Sequence, residues 1–178
     1  MNKKKLVTEM GRIDRDAFAQ SQKLPLVVVL DNVRSLHNVG SVFRTSDAFR
    51  VECIMLCGIT ATPPSAEIHK TALGAEDVVD WKYYESTMDA VAELRSQGYR
   101  VYSIELCQRS IALQDFVTAP GERYAVVLGN EVKGVQQDVV DASDGAIEIP
   151  QFGTKHSLNV SVTAGMVIWE FAKKLGLV

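Results

Sequence analysis

The stretch Leu26-Val27-Val28-Val29-Leu30, entered through Pro25, decides the architecture. Five consecutive apolar residues, three of them β-branched, cannot alternate between a core and water. A strand of this kind is buried on both faces, as in parallel sheets covered by helices on each side. Working outward, Asn38–Arg50 carries Val39, Val42, Phe43, Ser46 and Phe49 at helical spacing, and Val51–Cys57 is a second unbroken strand closed by Gly58. Thr62-Pro63-Pro64-Ser65 reads as a turn, with a short mixed stretch from there to Gly74. A weak strand is predicted near Val78–Trp81, and a helix from about Ser86 to Gln97, stopped by Gly98. Strands are predicted at Arg100–Ile104, Tyr124–Leu128 and Ala146–Ile149, and a last helix from about Leu158 to Leu175. Strands and helices alternating at this spacing predict an α/β fold with a mostly parallel sheet flanked by helices.

The 178 residues suit one domain, read as a short basic N-terminal extension over 1–24 and a domain over 25–178. At 47% hydrophobic and 23% charged, the composition belongs to an ordinary globular protein rather than a disordered or membrane chain. No apolar run reaches the ~18 residues of a membrane span. Lys3-Lys4-Lys5 has no apolar stretch behind it, so it is not a signal peptide, and a cytoplasmic location is expected. Cys53, Cys57 and Cys107 show no metal spacing and no disulfide framework; the first two lie in a strand, where cysteine acts as a small hydrophobe. The net charge of −3 argues against an indiscriminate nucleic-acid binder. Its distribution is uneven, however: nine Lys/Arg against five acids in residues 1–50 leave +4 there and −7 in the remainder. Such asymmetry marks either a phosphate-facing region or plain solvated surface.

Three polar islands remain once the core is set aside, each at the C-terminal end of a predicted strand, where open α/β sheets hold ligands. In Asp31–Arg44, Asn38 is an N-cap candidate, Gly40 permits a close approach, and Arg44 projects from the second helical turn. A guanidinium suits phosphate recognition, although an Arg on a solvated helix face would read the same. In Leu128–Val135, Gly129 and Gly134 bracket a loop able to present backbone groups to a nucleoside. It is not a Walker A loop, since Gly134 is followed by Val135-Gln136, and no GxGxxG fingerprint supports a dinucleotide oxidoreductase. In Ile147–Val162, a strand stops at Pro150, and Ser157 or Asn159 caps the last helix. His156 and His37 are each either a base or an ordinary surface residue. Without a Ser–His–Asp pattern or metal spacing, hydrolase and metalloenzyme readings fall behind, and no metal is expected.

Together, in this order, the islands resemble the TrmH/SpoU family of RNA ribose methyltransferases within the SPOUT superfamily. Asn38, Gly40 and Arg44 match its first motif; Gly129, Glu131 and Gly134 its second; Ile149, Pro150 and Ser157-Leu158-Asn159-Val160-Ser161 its third. Ala72-Leu73-Gly74-Ala75 also looks like the family's small Gly-Ala turn, and the likeness covers about residues 24–175. The resemblance implies an α/β sheet whose C-terminal part threads a deep trefoil knot, a rare topology. It implies S-adenosylmethionine as cofactor, held by Ile104, Leu128, Gly129, Ile149 and Leu158. It implies an RNA substrate, tRNA or rRNA, and a homodimer in which Arg44 of one subunit completes the site of the other.

For the reaction the resemblance points to Arg44, with Asn38, Glu131, Ser157 and Asn159 orienting ribose, guanidinium and loops. The corresponding Arg has been proposed as a base in this family. A guanidinium stays protonated in ordinary protein settings, so Arg44 is expected instead to hold the target phosphate and stabilise the nascent alkoxide. Only RNA carries the 2′-hydroxyl, and the basic N-terminal region is a candidate for further RNA contact. Two alternatives share the fold: a non-catalytic RNA-binding module, and a superfamily enzyme that methylates a base.

Overall fold

The computed structural model describes every residue except Met1, Arg12 and His156, together with the side chain of Val7. A short helix α1 (Arg15–Gln20) precedes β1 (Leu24–Asp31), α2 (Leu36–Ala48), β2 (Val51–Cys57), α3 (Ala66–Ala72), β3 (Trp81–Tyr84) and α4 (Thr87–Ser96). Then follow β4 (Tyr99–Ile104), β5 (Ile111–Ala112), β6 (Arg123–Leu128), α5 (Gln137–Ala142), β7 (Gly145–Glu148) and α6 (Val160–Lys174). The strands make one sheet in the order β3-β2-β1-β6-β4-β7-β5. Every ladder between its strands is parallel.

The deciding stretch behaves as its composition requires. Leu26, Val28 and Leu30 point into one core with Phe43, Tyr124, Ile168 and Phe171, while Val27 and Val29 point into a second with Leu94, Val101, Val127 and Val139. A residue period of two thus feeds two apolar layers, so neither face of β1 between Leu26 and Leu30 can tolerate a polar residue. Phe18 of α1 is buried in the first core, so the segment before β1 is anchored to the domain. Among the described residues, no helix is long and apolar enough to cross a membrane.

Several elements differ from the sequence reading. The weak strand lies at Trp81–Tyr84, not Val78–Trp81, because it is a half-exposed edge strand with no continuous apolar run. Helix α3, helix α5 and the two-residue β5 were not predicted; at seven, six and two residues they are too short for periodicity to show. Helix α2 starts at Leu36, two residues before the expected Asn38, because Ser35 is its N-cap and accepts a hydrogen bond from the Asn38 amide at 3.3 Å. Asn159, not Ser157, caps α6, accepting from the amides of Ser161 and Val162. Ser157 lies outside the helix, on the rim of a cleft.

Gly40 permits a close approach, and what approaches is α3. A Cβ there would lie 2.2 Å from both the Ile68 carbonyl oxygen and Thr71 Oγ1. A solvent-facing helical Gly→Ala change stabilises by up to about 1 kcal/mol. Gly40→Ala should do the opposite and destabilise by about 1–3 kcal/mol, since two packed helices must separate. Thermal unfolding should show a midpoint several degrees below that of the parent protein.

Candidate active site

The C-terminal ends of β4, β6 and β7 converge on a cleft of about 360 Å³. Ile104 at the end of β4, Leu128 and Gly129 at the end of β6, Ile149 just past β7 and Leu158 just before α6 all line it. Those five residues span fifty-odd positions of sequence, and only the neighbouring of β6, β4 and β7 in the sheet brings them together. Ser157 and Glu131 line the same cleft, as do Glu105 and Glu148.

The loop after β6 is closed on itself. Asn130 and Gly134 exchange backbone hydrogen bonds at 3.0 and 2.9 Å, and Asn130 Oδ1 accepts from the amides of Val132 and Lys133. Two glycines make the closure possible. A Cβ on Gly129 would lie 2.1 Å from the Gly134 carbonyl carbon and 2.2 Å from the Val135 nitrogen. Gly134 has φ +70°, and a Cβ there would lie 2.2 Å from Glu105 Oε2. Glu105 in turn accepts from the Val135 amide at 3.0 Å and the Leu106 amide at 3.0 Å, fixing the loop to the end of β4.

Glu131, at the loop's tip, joins the three polar islands. Its carboxylate accepts from the amides of Arg34 and Ser35 and from Asn38 Nδ2, each at 3.0 Å. Asn38 Oδ1 accepts from Asn159 Nδ2 at 3.2 Å. A continuous chain therefore runs from the β6 loop through the first turn of α2 to the cap of α6. Burial works against ionisation of Glu131, but the Arg34, Glu131 and Ser35 amides and the Asn38 side chain outweigh it, and the pKa lies below its ordinary 4.5. A carboxylate with a lowered folded-state pKa stabilises the fold above its unfolded value and loses that contribution as pH falls through the folded value. The melting-temperature gap between the parent protein and Glu131→Gln should accordingly be full at neutral pH and begin to shrink near pH 4.5. A gap independent of pH would contradict this.

Beneath the loop lies a second, wholly buried anchor. Asp31, at the end of β1, is fully buried, and its carboxylate accepts from Thr87 Oγ1 at 2.6 Å, Asn32 Nδ2 at 2.8 Å and the Gln136 amide at 2.9 Å. A buried carboxylate with three donors is a rigid strut, and removing one donor would leave charge unsatisfied. Asn130 Nδ2 also donates to the Asn32 carbonyl at 2.8 Å. Sequence reasoning missed the parts played by Glu105, Thr87 and Gln136. The one available signal was an acid directly after a buried strand, at Glu105.

Arg44 stands apart. It is exposed on α2 and lines a different cavity, of about 630 Å³, rather than the cleft. His37 pairs with Glu67 at 3.0 Å, with both side chains about half exposed; His156 lies outside the described residues. Among the described residues no group of three or more His, Cys, Asp or Glu could hold a metal ion.

A family model described as the SpoU rRNA Methylase family matches residues 25–169. The chain is 30% identical over 158 residues to the tRNA (guanosine(18)-2′-O)-methyltransferase of Aquifex aeolicus, covering 88% of this chain and 72% of that one. It is 30% identical over 155 residues to the 23S rRNA (guanosine-2′-O-)-methyltransferase RlmB of Neisseria meningitidis, covering 87% of this chain and 61% of that protein. Among solved structures, an AdoMet-bound rRNA methyltransferase from Sinorhizobium meliloti superposes with a TM-score of 0.79 at 27% identity, covering 90% of this chain and 60% of that one. The chain thus spans less than two thirds of the length of two of these three proteins.

Proposed function

Since the chain belongs to the SpoU rRNA Methylase family, we propose that it transfers the methyl group of S-adenosylmethionine to the ribose 2′-hydroxyl of a tRNA or ribosomal RNA. The observation that carries this reading is the convergence of Ile104, Leu128, Gly129, Ile149 and Leu158 on one cleft beside the Glu131–Asn38–Asn159 chain. The cleft suits the cofactor. Its volume of about 360 Å³ falls in the range of small-molecule sites, its aliphatic walls can sandwich a purine, and Gly129 leaves backbone groups bare. Glu105, Glu131 and Glu148 put negative charge around a ligand that carries a sulfonium cation.

Bound there, the cofactor supplies an electrophilic methyl group. The chain's own part is to bring the sugar oxygen into line with it and to steady the negative charge that appears as the hydroxyl proton passes to water, and positioning alone is worth several kcal/mol. We assign the charge-stabilising role to Arg44 and the orienting roles to Asn38, Glu131, Ser157 and Asn159. Arg44 of one chain does not line that chain's own cleft. The proposal therefore includes a homodimer in which Arg44 of one subunit reaches the partner's cleft. Helix α6 supports this: Val162, Met166 and Trp169 leave an exposed apolar stripe at helical spacing. Trp169 also packs edge-on against Phe49 at the end of α2, the helix that carries Arg44, with ring centroids 5.7 Å apart.

Further parts of the proposal are a trefoil knot formed by the chain after β6 and a cytoplasmic site of action. The sheet order supports the knot, because β7 lies beyond β4 while α6 returns to pack on α2 on the far side of β6. Ribose rather than base as acceptor is favoured by the 2′-O activities in the two relatives' names. Incubation with radiolabelled cofactor and separate tRNA and rRNA pools, followed by nucleoside digestion, should place the label on a 2′-O-methylnucleoside. Label on a base, or binding of cofactor without transfer to any RNA, would defeat the reading.

A further inference from the structure

Arg50 follows the C-cap of α2, Phe49, and has φ +50°. Chains usually place glycine at that point, because in the left-handed conformation a Cβ crowds the carbonyl oxygen. The backbone of Arg50 does what any residue would do there: its amide donates to the Asp47 carbonyl and its carbonyl accepts from the Leu24 amide. Nothing in the turn calls for a side chain, still less a long cationic one. Strained residues of this kind persist where the side chain has work to do.

The surroundings say what that work is. Arg50 and Arg44 line the same cavity of about 630 Å³, closed on one side by the N-terminal segment through Ile13 and Arg15. Among the described residues neither guanidinium has a hydrogen-bond or ion-pair partner. Of the two acids in the wall, Asp14 spends its carboxylate on the α1 cap, accepting from the Ala17 amide at 2.8 Å, and Asp47 is engaged as well. Arg15 is paired to Asp77 at 3.0 Å. Two unpaired guanidiniums in one wide recess, beside the exposed apolar side chains of Ile13 and Leu73, suit an anionic strand whose sugars or bases rest on the rim.

We propose that Arg50 and Arg44 form a phosphate-binding subsite for RNA, in which Arg50 holds a backbone phosphate flanking the methylated nucleotide. This rests on the methyltransferase reading above. The test uses Arg50→Gly and Arg50→Lys in the full chain, with bulk tRNA and fragmented ribosomal RNA as probes over a range of salt. Glycine relieves the backbone, so Arg50→Gly should hold or raise the melting temperature and leave cofactor affinity unchanged. Its RNA affinity should fall about five- to tenfold at 0.1 M salt, with the slope of log K against log salt shallower by about 0.7–0.9, the loss of one phosphate contact. Arg50→Lys should keep the slope, and the KM for RNA should rise in Arg50→Gly. Inorganic phosphate at the same ionic strength should not compete, which separates a strand phosphate from a free anion. Unchanged affinity and slope in Arg50→Gly would overturn the subsite, as would a lower melting temperature with RNA binding reduced in proportion. If the parent protein binds and methylates neither RNA, the methyltransferase reading itself has failed.

Discussion

Arg44→Ala is expected to lose methyl transfer by a factor of about 100 or more while binding S-adenosylmethionine as tightly as the parent protein. The size follows from removing a positive group aimed at charge that appears only in the transition state, a change that typically lowers kcat by about 10²–10³. The unchanged cofactor affinity follows from the assigned role, because a guanidinium brought in to face the sugar oxygen gains nothing from the cationic sulfonium, and Arg44 is no part of the wall that its own chain builds around the cofactor. Methyl incorporation from labelled cofactor and calorimetry with unlabelled cofactor measure the two separately. Turnover within tenfold of the parent would remove Arg44 from the mechanism. A loss of cofactor affinity of the same size would place it in the cofactor site instead.

Gly129→Ala should fail in the opposite way, with cofactor affinity reduced at least about tenfold and RNA affinity retained. One methyl group has this effect because it has nowhere to go: its neighbours at 2.1 and 2.2 Å are the backbone of Gly134 and Val135. The loop must open, and with it the Asn130–Gly134 bridge and the seat of Glu131. The two variants also test the shared site. If the protein is the proposed homodimer, half the dimers in an equal mixture allowed to exchange subunits are hybrids, and each has one cleft with an intact Gly129 loop facing an intact Arg44. Activity should recover to about a quarter of the parent's. A mixture as inactive as its components would show that each chain completes its own site or acts as a monomer.

The candidate site was unevenly legible in the sequence. The motif around Gly129 is local, and its position at the end of a buried strand follows from Tyr124–Leu128 being an apolar run. Glu131 and Asn38, ninety-three positions apart, were picked out only by resemblance, and nothing in their spacing says that they share a hydrogen bond of 3.0 Å. Asn38 in particular read as a helix cap, because Asn before an apolar period is the usual signal for one. Ser35 took that role, which freed the Asn38 side chain to bridge Glu131 and Asn159, its Nδ2 donating to the first and its Oδ1 accepting from the second. The buried Asp31 was invisible as a strut, since its partners Thr87 and Gln136 are brought to it from distant elements.

Local apolar pattern determined the layers. An uninterrupted β-branched run must be covered on both sides wherever it occurs, so a parallel sheet between helices followed from the chain alone, as did the long helices α2, α4 and α6. Strand order belongs to the tertiary structure. Placing β6 between β1 and β4, and β7 beyond β4, depends on pairings between segments far apart in sequence, whose free energy no local window contains. That order put the Gly129 loop, Ile104, Ile149 and Leu158 around one cleft and left Arg44 and Arg50 facing another, because side chains are carried wherever their strands and helices are packed.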